Sequence, residues 1–252
     1  MPVSMDSFVP PGWSRGSDVP AARIRHGNLE MMQWVAYVAM ILDHVGAMMG
    51  KWTGEESDVM RGMGRIAFPI FVFVFAWRLA NTIWKDPRHD FTSVFKKRAA
   101  YGMLAQVAWI GTGVLALPNV MLGFACIACI VVLCQEDRGW ACPMAVRLAA
   151  ATSLALWMGM NFDHGVPGVL LAVSLYSFFR YKDPACLCVA ACALVWGASG
   201  FHLHTAIYAL PVVVLIQYMG WSVERPVRDL FYVLYPLHII ALAAITWSFF
   251  PK

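Results

Sequence analysis

The stretch Met31-Met-Gln-Trp-Val-Ala-Tyr-Val-Ala-Met-Ile-Leu-Asp43-His44-Val-Gly-Ala-Met-Met49 is apolar over nearly its whole length, with an adjacent acid and imidazole in its second half. Its length approaches the roughly 20 residues a helix needs to cross a bilayer. An ionisable pair is costly in hydrocarbon. Such residues are rare in spanning segments and usually face a cavity, a partner or a reaction. The run thus reads as a membrane helix, and Asp43-His44 marks where its chemistry belongs.

The rest of the chain repeats the pattern. Of its 252 residues, 60% are hydrophobic and 13% charged, with a mean hydropathy of +0.62. A soluble domain carries roughly 25% charged residues, about twice this share. Nine apolar runs follow one another, at 30–49, 66–84, 99–117, 120–135, 143–160, 165–181, 184–200, 205–220 and 230–250. The predicted fold is all-α, a polytopic membrane bundle of about nine transmembrane helices over residues 29–252. The runs at 120–135, 184–200 and 205–220 are short for a bilayer, so the count becomes eight or ten if one is demoted or another divides. Residues 1–28 are rich in Pro, Ser, Gly and Arg and lack the apolar core of a signal peptide. They read as a flexible cytoplasmic tail.

Charge placement sets the orientation. With the N-terminus in the cytoplasm, fourteen of the 19 Lys and Arg fall on the cytoplasmic side, four on the other, and Arg78 within a span. That asymmetry follows the positive-inside rule. Asp43 and His44 then lie in the outer half of the first span. Arg65, at the outer end of the second, comes within reach of either. Asp163-His164 and the pair His202 and His204 occupy outer connections and read as solvated loop residues. In the last span, Tyr235-Pro236-Leu-His238 holds a second intramembrane histidine. Pro236 frees a carbonyl on the preceding turn, which His238 can satisfy. Arg78 lies near the inner end of its span and reads as a snorkelling anchor.

The longest basic inner loop contains Lys85, Arg88, Lys96, Lys97 and Arg98. Its plain reading is topology setting and contact with anionic headgroups. Its sharper reading is a phosphate site for an anionic cofactor. No glycine-rich nucleotide loop, metal-ligand spacing or nucleic-acid motif accompanies it. The seven cysteines mostly lie within apolar runs and read as small residues that let helices approach. A histidine near a carboxylate suits general-base chemistry, although helix neighbours point about 100° apart. Asp43 is therefore expected to pair with Arg65 while His44 faces the reacting group.

Several segments in order resemble the TraX family: Ile-Leu-Asp43-His44 in the first span, Gly64-Arg65-Ile-Ala-Phe68-Pro69-Ile-Phe71 opening the second, Pro-Asn119-Val-Met-Leu-Gly-Phe starting the fourth, and Tyr235-Pro-Leu-His238 in the last. The resemblance implies a bacterial inner-membrane acyltransferase of conjugative pilus maturation. Its substrate would be a processed pilin subunit, acetylated at its N-terminus from acetyl-coenzyme A. On that reading His44, Asp43, Arg65 and His238 are the catalytic candidates, with His238 nearer the donor side. Asn119 and Tyr235 would contact substrate, and the basic inner loop would hold the donor. The lipid bilayer is the other partner; no nucleic acid and no metal is expected. Two other readings stay open: a different pilin modification (cleavage, cyclisation or attachment of a lipid-derived group), and a non-catalytic pilin-holding factor or small transporter.

Overall fold

The computed structural model describes residues 26–55, 57–82, 91–112, 118–134, 142–162, 164–198, 204–223 and 228–249. All regular structure among them is helical. The chain forms α1 (His26–Thr53), α2 (Asp58–Gly64), α3 (Ala67–Thr82), α4 (Phe91–Thr112), α5 (Val120–Leu133), α6 (Met144–Asn161), α7 (Gly165–Tyr181) and α8 (Pro184–Ala198). A 3-10 turn (His204–Tyr208) leads into α9 (Ala209–Met219), and α10 (Arg228–Phe249) follows. The described residues of each of the nine apolar runs lie mainly on a helical segment. By length and composition, the stretches 58–81 and 230–249 are sufficient to cross a membrane. The apolar segments at Val120–Leu133, Pro184–Ala198 and His204–Met219 are shorter, the same three runs whose length was marginal in sequence.

The helices depart from the apolar runs where polar residues find partners. α1 begins at His26, inside the stretch read as tail, and residues 1–25 lie outside the described residues. Glu30, at the start of the apolar run, lies opposite Arg78 of α3, and the two form an ion pair at 2.5 Å. Arg78 is therefore held by a carboxylate rather than snorkelling alone.

A separate short helix precedes the second run. α2 is capped by Ser57, whose side chain accepts from the Met60 amide at 3.4 Å. It ends at Gly64, and the chain turns through Arg65 and Ile66 before α3 begins. Pro69 is tolerated because it lies in α3's first turn, where amides have no helical partner.

A core of α3, α5 and α7 side chains, including Val72, Phe75, Phe124, Ile127, Leu171 and Leu175, forms one side of the bundle. α1 packs on its other side against α2, α3 and α10. Two hydrogen bonds fix α1 against α10 along their length: Tyr37 Oη donates to the Leu234 carbonyl at 3.0 Å, and Trp52 Nε1 to Thr246 Oγ1 at 3.1 Å. α4 also packs on α10, where Trp247 Nε1 donates to the Gly111 carbonyl at 3.0 Å.

α5 starts partway down the bundle. Asn119, just before it, bonds the Gly102 carbonyl of α4, ten residues short of that helix's end at Thr112. At 1.5 Å per residue, α5 begins about 15 Å below the end of α4. This accounts for its 14-residue length.

Candidate functional site

The inward start of α5 helps enclose a cavity of about 120 Å³ at the centre of the bundle. Its polar walls are Asp43, His44, Arg61, Arg65, Asn119, His164 and Tyr235; Phe68, Phe71, Trp109 and Phe124 are among its apolar ones. The volume suits a small acyl group or a few waters, each of which occupies roughly 30 Å³ in the liquid.

Asp43 stands between two guanidiniums, Arg61 at 3.4 Å and Arg65 at 3.7 Å. Arg65 is only 5% exposed. The turn after Gly64 sends it back toward α1, and Gly64 is what permits the approach. A Cβ there would lie 2.3 Å from Asp43 Cβ and 2.6 Å from its backbone nitrogen, so no larger residue fits. Two guanidiniums thus face this carboxylate beside the cavity. Arg61 was not singled out in sequence, because it reads there as a residue of the outer connection.

His44 and His238 meet directly, Nδ1 of His44 to Nε2 of His238 at 2.8 Å. Their rings lie nearly parallel, at 10°. His238 Nδ1 in turn meets the Leu234 carbonyl at 3.1 Å. A carbonyl oxygen only accepts, so His238 Nδ1 carries a proton and the Nε2 of the neutral ring is an acceptor. His44 therefore donates from Nδ1, which makes Nε2 its basic nitrogen. His44 lines the cavity; His238 is not among its walls and stands behind it.

The sequence had placed His238 nearer the donor side. Instead it lies midway along α10, at the depth of His44. The carbonyl it engages is that of Leu234, one helical turn back from its own ring, rather than that of Tyr232, which Pro236 leaves without its helical donor. Among the described residues no group of three His, Cys, Asp or Glu could hold a metal ion.

Asn119 and Tyr235 border the cavity, but their polar atoms serve α5. Asn119 Oδ1 accepts from the Met121 and Leu122 amides at 3.0 and 3.3 Å. Its Nδ2 donates to the Gly102 carbonyl at 2.6 Å and to Gln106 Oε1 at 3.1 Å. That exhausts an amide side chain's two acceptor and two donor positions. The Val120 backbone bonds Tyr235, whose side chain is buried. The first amides of α5 are thus satisfied, and its N-terminus is not an anion site. Asn119 holds the cavity wall in place, with no hydrogen-bonding position left for a substrate.

His164 stacks on Phe68 with ring centroids 3.6 Å apart, in the cavity wall rather than in a solvated loop. Asp163 and His202 lie outside the described residues, and His204 is exposed. Of the basic inner cluster, Lys85 and Arg88 lie outside the described residues and Lys96 and Lys97 are exposed on α4. Arg98 turns inward, its guanidinium over Phe75 at 4.8 Å and Tyr232 at 5.6 Å. The described residues thus bring together His44, Asp43, Arg65 and His238 at one centre and place Arg98 at another.

The model of a family described as TraX protein matches residues 28–246. The chain belongs to the TraX family. That span includes every residue of the central site. Membership associates the chain with conjugative pilus processing and with pilin as partner. No curated protein and no solved structure matches the chain.

Proposed function

We propose that this TraX-family chain is a multi-pass inner-membrane acyltransferase that transfers an acetyl group from acetyl-coenzyme A to the N-terminus of processed pilin. The multi-pass reading is supported by nine apolar runs on helical segments and by the bias of Lys and Arg to alternate connections. The observation that carries the chemistry is His44: it borders a small cavity and presents a basic Nε2, because His238 accepts its Nδ1 proton.

In the reaction, His44 Nε2 takes a proton from the acceptor amine as the amine nitrogen attacks the thioester carbonyl. The C–S bond breaks, a C–N bond forms, and His44 returns the proton to the departing thiolate. The Arg61 and Arg65 guanidiniums, which line the same cavity, favour the oxyanion that develops on the carbonyl oxygen. Asp43 keeps the guanidiniums in place.

The test is intact-mass measurement of the cognate pilin from cells carrying wild-type protein, His44→Ala or no protein. The expected outcome is one added acetyl group in the wild type alone. Pilin of identical mass in all three refutes acyl transfer, and full modification by His44→Ala refutes the role of His44.

A further inference from the structure

The central cavity has two unlike sides. Asp43, His44, Arg61 and Arg65, from α1, α2 and the turn after it, line the polar one. The other side is formed by Ile127 of α5, Met158 near the end of α6, Phe162 just after it and Val169 of α7. All four belong to the core built from α3, α5, α6, α7 and α8, to which α1 contributes nothing among the described residues. The apolar side therefore lies away from His44.

This side is closed at Gly123. A Cβ there would lie 3.3 Å from the Phe162 ring and 4.0 Å from Met158 Cε, so the ring and the methyl rest over bare backbone of α5. Trp157 meets Phe162 edge-on at 5.8 Å, and Met158 is buried. Side chains packed in this way yield little room to an added methylene.

Chemistry fixes which part of the reacting group faces that wall. The amine nitrogen lies at His44 Nε2 and the oxyanion toward the guanidiniums. The remaining substituent of the carbonyl carbon is the acyl chain, which is apolar and goes to the apolar side. Size then limits it. An apolar cavity of about 150 Å³ holds benzene, about six carbons. This cavity measures about 120 Å³. The carbonyl carbon and oxygen, a methyl group, the departing sulfur and the attacking nitrogen nearly fill it.

We propose that Ile127, Met158, Phe162 and Val169 form the ceiling of an acyl pocket, which admits a short acyl group and excludes butanoyl and longer chains, including those of membrane lipids. This inference rests on the acyl-transfer reading and names its substrate class. The bonds are the same at any chain length: C–S breaks, C–N forms, and the amine proton passes through His44 to sulfur. Only the fit of the chain differs.

The experiment uses the full chain in phospholipid nanodiscs with a pilin N-terminal peptide. Acetyl-, butanoyl- and hexanoyl-coenzyme A are offered in turn, and the peptide's mass identifies the group transferred. The nanodisc lipid supplies long acyl chains in the same reaction. In a fitted apolar pocket one methylene changes kcat/KM by about 10–200-fold, so the wild type is expected to favour acetyl over butanoyl by about 100-fold or more. Met158→Ala removes Cγ, Sδ and Cε beside the cavity and should raise the butanoyl-to-acetyl ratio about tenfold or more. Phe162→Leu, a smaller opening of the same wall, should raise it less. Leu154→Ala loosens the same core away from the cavity and should keep the wild-type ratio. Thermal unfolding shows which variants are folded, and the wild-type profile tests the ceiling without any of them.

That order of ratios supports the pocket. Equal use of acetyl and hexanoyl donors by the wild type overturns it, as does peptide carrying a lipid chain. An unchanged ratio in folded, active Met158→Ala and Phe162→Leu, or an equal rise in Leu154→Ala, overturns this inference and leaves acyl transfer standing. Transfer from no donor by the wild type overturns both.

Discussion

Replacing His238 by Phe separates the two histidines. The ring is kept, so the edge contacts with Tyr37 at 5.6 Å and Tyr235 at 5.5 Å persist. What disappears is the acceptor 2.8 Å from His44 Nδ1 and the 3.1 Å bond that sets its tautomer. A hydrogen bond of this kind is worth about 0.5–1.5 kcal/mol net, and that difference is what holds the Nδ1 proton in place and Nε2 basic. Losing it shifts the ratio of the two His44 tautomers away from the reactive one by about 2–13-fold, at 1.36 kcal/mol per tenfold. His44→Ala removes the base itself, with an expected loss of about 10²–10⁴ in kcat. The ordering is therefore His44→Ala far below His238→Phe, with His238→Gln nearest the wild type because its side-chain carbonyl can accept the same proton. The assay is single-turnover transfer of labelled acetyl to a pilin N-terminal peptide, under saturating donor. Equal losses in His44→Ala and His238→Phe would refute the positioning role and make His238 a chemical participant. A His238→Phe protein with full activity would show that the tautomer is set elsewhere.

Other substitutions test the scaffold around this pair. Asp43→Asn leaves Arg61 and the buried Arg65 without their carboxylate and is expected to destabilise the fold by about 3 kcal/mol, read from denaturant titration in micelles. Gly64→Ala forces a Cβ into Asp43 and should cost about 1–3 kcal/mol in the same titration, with acyl transfer falling as Arg65 is displaced; wild-type stability and activity would mean that α1 and α2 are not in this contact. Asn119→Ala loses the cap of α5, about 1 kcal/mol. Asn119→Asp should be worse, although Asp caps as well as Asn, because it sets a carboxylate against the Gly102 carbonyl and Gln106 Oε1; the opposite order in thermal unfolding would contradict the cross-tie from α5 to α4.

The sequence by itself determined the helical class, the nine apolar segments and most of the polar residues at the centre. These are local properties. A run of apolar residues reports its own helix, and an acid or imidazole within it stands out whatever it touches. The Gly64-Arg65 and Asp43-His44 elements were legible for that reason, as was the pairing of Arg65 with Asp43, since only a short connection separates their helices. Tertiary structure decided who meets whom across the chain. His44 and His238 are 194 residues apart, and their contact depends on how α10 lies along α1. Glu30 and Arg78 are joined because α1 lies alongside α3. Asn119 looks like a substrate ligand in a motif. It becomes a cap and cross-tie because α5 begins inside the bundle, where its first amides have no water and must be satisfied by protein. Arg61 and His164 enter the site from segments that read as loops, and Arg98 leaves the basic loop for an inner cavity. Composition states the cost of burying such groups. Only the packing shows which partner offsets it.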